Sequence, residues 1–266
     1  MTQTIRKIAL FAAFTLFQLL PAFHLFLSPV VSVVGAFRGI LVASLLTYGF
    51  LALVSLFLGR AFCGWFCPGA AVQECCTNLG ARRLEGKRKY WSKYVVFGLW
   101  AAVVLIGVLH ARGFHQVDLR FGTAGGGATR SFLFRYGAFL IVVPPAFLIG
   151  SWTTCHYLCW IAPLMIFGSR LSRRAGLPSL RVAADPGKCR RCTLCSRTCP
   201  MSLNVQEMVL AGAMRSDECI LCGHCISVCP SRAVRFAFGP RLAGPRSTWP
   251  PPPAKRRSSG WNSVQP

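Results

Sequence analysis

The chain has 266 residues, of which 53% are hydrophobic and 14% are charged. Soluble domains carry about 25% charged residues, so this composition excludes an ordinary soluble protein and predicts a membrane protein. The chain contains 30 Lys and Arg but only 7 Asp and Glu residues, for a formal net charge of +23. In membrane proteins such an excess gathers in cytoplasmic loops, so it indicates topology and contact with the lipid bilayer rather than nucleic-acid binding.

Four apolar segments predict transmembrane helices, because each approaches the roughly 20 residues needed to cross the hydrocarbon core. They comprise residues 8–27, 39–58, 94–109 and 132–149. The first segment could instead be a signal peptide, since Arg6 and Lys7 precede it. Its apolar run is longer than the roughly 7–15 residues of such peptides, which favours a spanning helix. Pro144 and Pro145 predict a kink in the fourth segment.

The basic residues predict how these segments are oriented. They cluster before the first segment, between the second and the third, and after the fourth, while the other two loops hold few. Because Lys and Arg concentrate on the cytoplasmic side, the sequence predicts a multi-pass protein of the bacterial inner (cytoplasmic) membrane. Its fold class is an α-helical membrane protein whose four helices form two hairpins, with both termini in the cytoplasm.

The cysteines beyond the last segment form a duplicated motif. The pattern C-x2-C-x2-C-x3-C-P runs from Cys189 to Pro200 and again from Cys219 to Pro230. This spacing is that of bacterial ferredoxins with two [4Fe–4S] clusters, in which the fourth cysteine of each motif binds the cluster of the other. Four-cysteine zinc sites are the alternative, but zinc requires no such run, still less two copies. We therefore predict a C-terminal α+β ferredoxin domain of the bacterial two-cluster type, located in the cytoplasm.

The motif also predicts the cluster ligands. One cluster is expected on Cys189, Cys192, Cys195 and Cys229, and the other on Cys219, Cys222, Cys225 and Cys199. Changes in composition then divide the chain into four parts. These are a transmembrane domain at residues 1–169, a basic linker at 170–184, the ferredoxin domain at 185–237 and a disordered Pro-rich basic tail at 238–266.

A second pair of motifs lies where two apolar segments end. Cys63 and Cys67 follow the second segment, and Cys155 and Cys159 follow the fourth, each pair spaced C-x3-C. Residues at i and i+4 share a helix face, so each pair can bind a metal or form a redox couple, and together they supply four thiolates. The alternative is that they are small buried hydrophobic residues, as free cysteines usually are. The shared spacing and position favour a redox or metal role, whereas the adjacent cysteines at 75–76 have no counterpart.

Membrane hairpins that end in Cys63-x3-Cys67-Pro68, followed by two ferredoxin motifs, resemble the NapH-type membrane ferredoxins. These are the quinol dehydrogenase subunits that accompany periplasmic nitrate reductase. The same core is similar to the membrane parts of NosR-type and CcoG/RdxA-type proteins. The second motif departs from the family pattern, because Trp160 rather than proline follows Cys159. The resemblance implies that membrane quinol is oxidised and that electrons leave through the clusters to a redox partner protein, a reductase or a ferredoxin-like subunit.

Two histidines are candidate catalytic residues for that reaction, beside the four cysteines of the C-x3-C pairs. His24 and His110 end the first and third segments, and a histidine pKa near 6.5 suits proton transfer. Anchoring at the membrane interface is the competing interpretation for each, and a bis-histidine haem between them is disfavoured. His156 and His224 lie inside the cysteine motifs, where they are expected to tune the bound metal.

The resemblance to CcoG-type proteins implies a second, different function. Such a protein would donate electrons or handle copper during the maturation of a membrane metalloenzyme, with no quinol turnover of its own. Thiolate pairs at the membrane suit Cu(I), which prefers soft ligands. The sequence therefore leaves two hypotheses, a component of quinol dehydrogenation and an accessory factor.

Overall fold

A computed structural model describes residues 2–20, 26–82, 91–119, 121, 137, 141–212, 214 and 216–239. His24, the loop at 122–130, residues 132–136 and 138–140 of the predicted fourth segment and the tail from residue 240 onward lie outside the described residues. Within the described ranges the chain is mainly helical and contains two short two-stranded sheets.

Six helices form the N-terminal part that the structure describes. They are α1 (Thr2–Leu19), α2 (Pro29–Phe37), α3 (Ala43–Leu58), α4 (Ala61–Trp65), α5 (Pro68–Asn78) and α6 (Ser92–His110). Ser28 caps α2 by accepting a hydrogen bond from the Val31 amide, and Pro29 begins the helix, where no N–H is needed. Strand β1 (Ile40–Val42) pairs in parallel with β2 (Gln116–Asp118), which ties the start of α3 to the loop after α6.

The predicted membrane segments map onto these helices to different degrees. Among the described residues, α6 alone is long and apolar enough to cross a membrane, and α3 is a shorter apolar helix. The helix of the second segment begins only at Ala43, because residues 40–42 pair with β2. The first segment is helical to Leu19, and residues 141–148 of the fourth are helical. Four transmembrane helices therefore stay a prediction.

The long helices carry exposed apolar side chains. On α6, Lys93 and Gly107 are the buried residues, and Leu99 is 64% exposed. On α1, Phe11 is 70% exposed, and on α3, Phe50 is 64% exposed. Large exposed apolar surfaces mark sites of contact with a membrane or with another protein.

The C-terminal part folds around an antiparallel strand pair. Helices α7 (Thr153–Tyr157) and α8 (Ile161–Ala175) lead into β3 (Ser179–Ala184), which pairs with β4 (Val234–Gly239). Between the strands lie α9 (Leu194–Arg197), α10 (Val205–Leu210) and α11 (His224–Ser227). Helix α8 packs against α3 so closely that a Cβ on Gly168 would overlap the Ser55 hydroxyl.

The structure divides this part differently from the composition. Residues 170–175 continue α8 and residues 179–184 form β3, so most of the predicted linker at 170–184 is regular structure. Strand β3 contains no cysteine, so the motif spacing does not assign it to the ferredoxin domain. Its pairing with β4, in which Val182 is opposite Phe236, does so. The strand pair therefore extends the ferredoxin domain to residues 179–239.

Candidate metal centre

A cavity in the ferredoxin domain gathers the four cysteines predicted for the second cluster. They are Cys199, Cys219, Cys222 and Cys225. Apolar side chains complete the cavity, among them Val182 of β3 and Val205 of α10. Burial, reinforced by Cys199 and Cys219, raises the pKa of Cys222 to about 12. A cysteine binds a metal as the thiolate rather than the thiol. A metal group that enters this cavity would therefore displace the thiol protons.

The two cysteine motifs share one backbone conformation. Arg191 and Thr193 in the first motif have φ values of 55° and 62°, and Leu221 and Gly223 in the second have 54° and 75°. These residues lie two and four positions after the first cysteine of each motif. A left-handed non-glycine residue costs roughly 1–2 kcal/mol, so it persists only where its surroundings fix it. The matched left-handed positions indicate two equivalent loops.

The cysteines predicted for the first cluster lie on the same hydrophobic core. Cys189, Cys195 and Cys229 pack against the core residues of the second cavity, while Cys192 is exposed. The Ala233 amide donates a hydrogen bond to Cys229 Sγ at 3.3 Å. Such a donor stabilises a thiolate and shifts the reduction potential of a bound cluster.

The C-x3-C pairs form two copies of one turn, the first thiol turn (residues 61–68) and the second thiol turn (residues 153–160). In the first, the Phe62 carbonyl accepts from the amides of Phe66 and Cys67 at 2.9 and 3.0 Å. In the second, the Thr154 carbonyl accepts from the amides of residues 158 and 159 at 3.0 and 2.9 Å. Each turn therefore places its first cysteine on a short helix and its second just before the next helix.

The helix that follows each thiol turn contacts the other turn. Cys63 Sγ lies 3.7 Å from Met165 Sδ on α8, which follows the second turn. Gln73, a buried residue on α5, accepts a hydrogen bond from the Trp152 amide at 2.6 Å and donates one to Thr154 Oγ1 at 3.1 Å. This reciprocal packing brings the two turns together.

The thiols of the two turns also influence one another electrostatically. Burial raises the pKa of Cys67 to about 12, with further contributions from Cys63 and Cys159. Burial raises the pKa of Cys155 as well, and the other three thiols of the turns add to that rise. Cys63 and Cys67 of the first turn and Cys155 of the second pack against one hydrophobic cluster, and Cys63 and Cys159 pack against another. We name Cys63, Cys67, Cys155 and Cys159 the four-thiol site. The sequence predicted both pairs, and the structure places them side by side.

The first thiol turn rests directly on the ferredoxin domain. Trp65 Nε1 donates a hydrogen bond to the Leu221 carbonyl at 3.0 Å. Gly64 lies so close to the Ile220 carbonyl that an added Cβ would overlap it. Both carbonyls belong to the loop between Cys219 and Cys222, so the four-thiol site and the second cavity are separated by little more than one loop.

We expect Gly64→Ala to destabilise this contact, because its Cβ would push the loop that carries the second cavity away from α4. An ordinary Gly→Ala change inside a helix stabilises by roughly 0.5–1 kcal/mol. Gly98 of α6 has no atom within 4 Å of its Cβ position and provides the matched control. Thermal unfolding in detergent should therefore shift in opposite directions for G64A and G98A. Equal shifts would contradict the contact.

Helix α1 holds the same loop from its N-terminus. Gln3 Nε2 donates to the Cys222 carbonyl at 3.0 Å, and buried Arg6 donates to the Gly64 carbonyl at 3.2 Å. Arg6 also pairs with Glu74 of α5 at 2.8 Å and lies 3.2 Å from His224 Nε2. The sequence assigned Arg6 to topology alone, because its partners are distant in the chain.

A buried ion cluster joins the helices to the second cavity. Arg60 is 3% exposed and contacts Glu218 at 3.3 Å, and fully buried Lys93 pairs with the same carboxylate. Burial by itself raises the pKa of Glu218, but Arg60 and Lys93 together hold that pKa below its ordinary value. Glu218 directly precedes Cys219, so three formal charges meet beside the second cavity. We name Arg60, Lys93 and Glu218 the ion cluster.

His110 and His156 lie in different parts of the structure. His110 ends α6 and packs near the Phe37 ring, with ring centroids 6.1 Å apart. Lys93 is at the opposite end of α6, about 26 Å away along the helix axis. His156 is buried, which lowers its pKa to about 4. The structure therefore places His110 far from the cysteines, while His24 lies outside the described residues.

No group of three or more His, Cys, Asp or Glu residues in the described ranges is arranged to hold one metal ion. This applies to the eight ferredoxin cysteines as well as to the four-thiol site. The thiolates of a [4Fe–4S] cluster each bind a different iron atom of the cubane, so they stand further apart than the ligands of one ion.

Comparison with known proteins agrees with this chemistry. Residues 40–87 match the family model of a 4Fe-4S binding domain, and residues 181–230 match that of a 4Fe-4S dicluster domain. An uncharacterized protein of Methanocaldococcus jannaschii is 27% identical over 248 residues, covering 88% of this chain and 87% of that protein. No solved structure matches the chain.

Two similar proteins have informative names. The putative electron transport protein YccM of Escherichia coli is 24% identical over 215 residues, covering 74% of this chain and 56% of YccM. The ferredoxin-type protein NapH of Haemophilus influenzae is 28% identical over 189 residues, covering 67% of this chain and 62% of NapH. The resemblance found in the sequence is confirmed: the chain is similar to ferredoxin-type electron transport proteins.

Proposed function

We propose that this iron–sulfur protein, similar to ferredoxin-type electron transport proteins, oxidises membrane quinol and relays the electrons through two [4Fe–4S] clusters to a reductase partner. The observation that carries the proposal is the contact between the first thiol turn and the ferredoxin loop at Ile220 and Leu221. It connects the end of the apolar helix α3 to the second cavity. Electrons released beside the helices thus have a short route to a cluster.

A membrane location for the helices is part of this proposal. The apolar faces of α1, α3 and α6 are exposed, as expected of helices in contact with lipid. Three helix ends meet the ferredoxin domain, through Arg6 of α1, Arg60 after α3 and Lys93 of α6. These ends would lie on one side of the bilayer, which supports a cytoplasmic N-terminus beside a cytoplasmic ferredoxin domain.

The residues present fit the proposed clusters. The second cavity offers four thiols in an apolar setting, and the first motif repeats its backbone conformation. When bound, each cluster supplies one-electron redox chemistry. The protein's own part is to hold the clusters in place, to exclude water and to present the cysteine thiolates. Arg6 and Arg60 provide positive charge beside the second cavity.

The decisive experiment is the reduction of the clusters by quinol. A reduced quinol analogue added anaerobically to the full chain in lipid should bleach the visible absorbance of the clusters, and inhibitors that occupy quinone pockets should prevent this. Proton release should make the rate depend on pH. If His110 takes the proton, H110Q should slow reduction by about 100-fold or more. The nearby variant H115Q is the control, because the His115 side chain is exposed and lies 2.7 Å from the Ala111 carbonyl oxygen.

One observation favours the accessory function instead. Met165 Sδ lies 3.7 Å from Cys63 Sγ, so a thioether adjoins the four-thiol site. Thioether and thiolate sulfurs are the soft ligands that Cu(I) prefers. Clusters that stay oxidised with quinol, yet are reduced by a soluble donor and then reduce Cu(II), would decide for the accessory function.

A further inference from the structure

We propose that Cys63, Cys67, Cys155 and Cys159 hold a third iron–sulfur cluster, a [4Fe–4S] cubane bound where the two thiol turns meet. The inference rests on the electron-transfer function proposed above and adds a carrier between the helices and the ferredoxin domain. It assigns one shared role to two motifs that lie 92 positions apart in the sequence.

The ligand set is complete only when both turns are present. The matched family model covers residues 40–87, which contain Cys63 and Cys67 but not the second pair. The other two cysteines in that range are poor candidates, since Cys75 is exposed and Cys76 packs with Ala81 and Ala146. The second thiol turn supplies the missing pair, because Gln73 and Met165 fasten the turns to each other.

The two turns are equivalent enough to share a cluster symmetrically. Each has a carbonyl that accepts from two successive amides, and the second of these amides belongs to the second cysteine. Trp160 stands where the first turn has Pro68, yet the hydrogen-bond pattern is unchanged. Pro68 only begins α5, where no amide hydrogen is required. The departure from the family pattern therefore leaves the second pair of thiols in place.

The charge of such a cluster would be compensated within the protein. An oxidised [4Fe–4S] core carries two positive charges, so four thiolates bring the whole to a net charge of −2. Arg60 is 3% exposed, and its Nε has no hydrogen-bond partner among the described residues. A buried cation without full compensation is costly, and an anionic cluster beside Cys63 would stabilise it. Arg60 also contacts Glu218, which links this charge to the second cavity.

The position suits an electron carrier. Gly64 and Trp65 lie between Cys63 and Cys67 and touch the Ile220–Leu221 carbonyls beside the second cavity. Oxidation of one quinol to quinone releases two electrons and two protons. Each cubane accepts one electron as its core passes from the 2+ to the 1+ state. The two electrons therefore leave in two single steps to the partner, and the protons pass to solvent.

Iron content tests the inference directly. The full chain, purified anaerobically in detergent, should contain about twelve iron and twelve acid-labile sulfide, against about eight for two clusters. C67S and C159S change one cysteine in each turn, and each should lose about four iron and the same electron paramagnetic resonance signal. The signals of the two ferredoxin clusters should remain, which shows that the variants are folded. C75S should keep all twelve.

Two results would overturn the third cluster. One is a wild-type chain with eight iron whose iron content is unchanged in C67S and C159S. The other is a wild-type chain that contains copper which C67S and C159S lose, while their iron content stays at eight. A wild-type chain that contains eight iron and is reduced by quinol would show that the third cluster is absent while the proposed function stands. A chain that contains twelve iron but is not reduced by quinol would show that the third cluster is present while the proposed function fails.

Discussion

Replacing Cys199 by serine should remove the same cluster as replacing Cys222, although the two residues belong to different motifs. Both line one cavity with Cys219 and Cys225, and a serine hydroxyl does not provide the thiolate that a cluster requires. Each variant should lose about four iron per chain. Electron transfer to an acceptor should fall by at least about 100-fold, since even changes outside the ligand set reduce metal affinity about 10- to 100-fold.

Two further variants make this result specific. Cys195 lies four positions before Cys199, but C195S should remove the other cluster, because the motif spacing assigns Cys195 to that cluster and Cys195 does not line the second cavity. C75S changes an exposed cysteine on α5 and should retain full iron and full rate. Electron paramagnetic resonance of the reduced protein distinguishes the two clusters. Loss of different signals in C199S and C222S would show that the crossed assignment is wrong.

The cluster motifs could be predicted from the sequence because their chemistry is local. Spacing alone divided the ligands into two sets, each with three cysteines from one motif and the fourth from the other. In the structure, Cys199 of the first motif lines one cavity with the first three cysteines of the second motif. The matched left-handed residues, such as Thr193 and Gly223, follow from the same repeat. The family resemblance added the order of the motifs.

Long-range pairing could not be predicted in the same way. Arg60 and Lys93 were assigned to topology, because a basic residue at the end of an apolar segment usually marks the cytoplasmic side. Their partner Glu218 is more than 120 positions away, and no periodicity relates them. Strand β3 was included in the linker for a similar reason, since only its pairing with β4 reveals it.

Removing the carboxylate of the ion cluster should destabilise the protein strongly. E218Q would leave fully buried Lys93 and nearly buried Arg60 without their counter-charge, and breaking a buried pair in this way costs about 3–5 kcal/mol. The adjacent variant D217N is the matched control. Asp217 pairs with Arg170 at 2.6 Å where both side chains are partly exposed, and such a pair contributes about 0–1 kcal/mol.

The pH dependence of this loss has a definite sign. Although burial raises it, Arg60 and Lys93 lower the pKa of Glu218 from its ordinary value of 4.5 in the folded protein. The stabilisation is therefore present above pH 4.5 and is lost as the pH falls through the folded pKa. Unfolding measured in detergent should show a gap between wild type and E218Q at pH 7 that narrows below pH 4.5. A constant gap would contradict the charge pairing.

A double-mutant cycle separates charge pairing from simple packing. K93M removes the second charge of the pair, so E218Q combined with K93M should cost less than the sum of the two single changes. Additive losses would mean that Glu218 and Lys93 act independently.

The ion cluster also bears on electron transfer, because Glu218 precedes Cys219 and contacts Arg60, which lies beside Cys63. With Glu218 neutralised, the positive charge of Arg60 should act more strongly on nearby clusters and raise their reduction potentials. If the reduction potentials are the same in E218Q as in the wild type, the ion cluster contributes to folding and not to electron transfer.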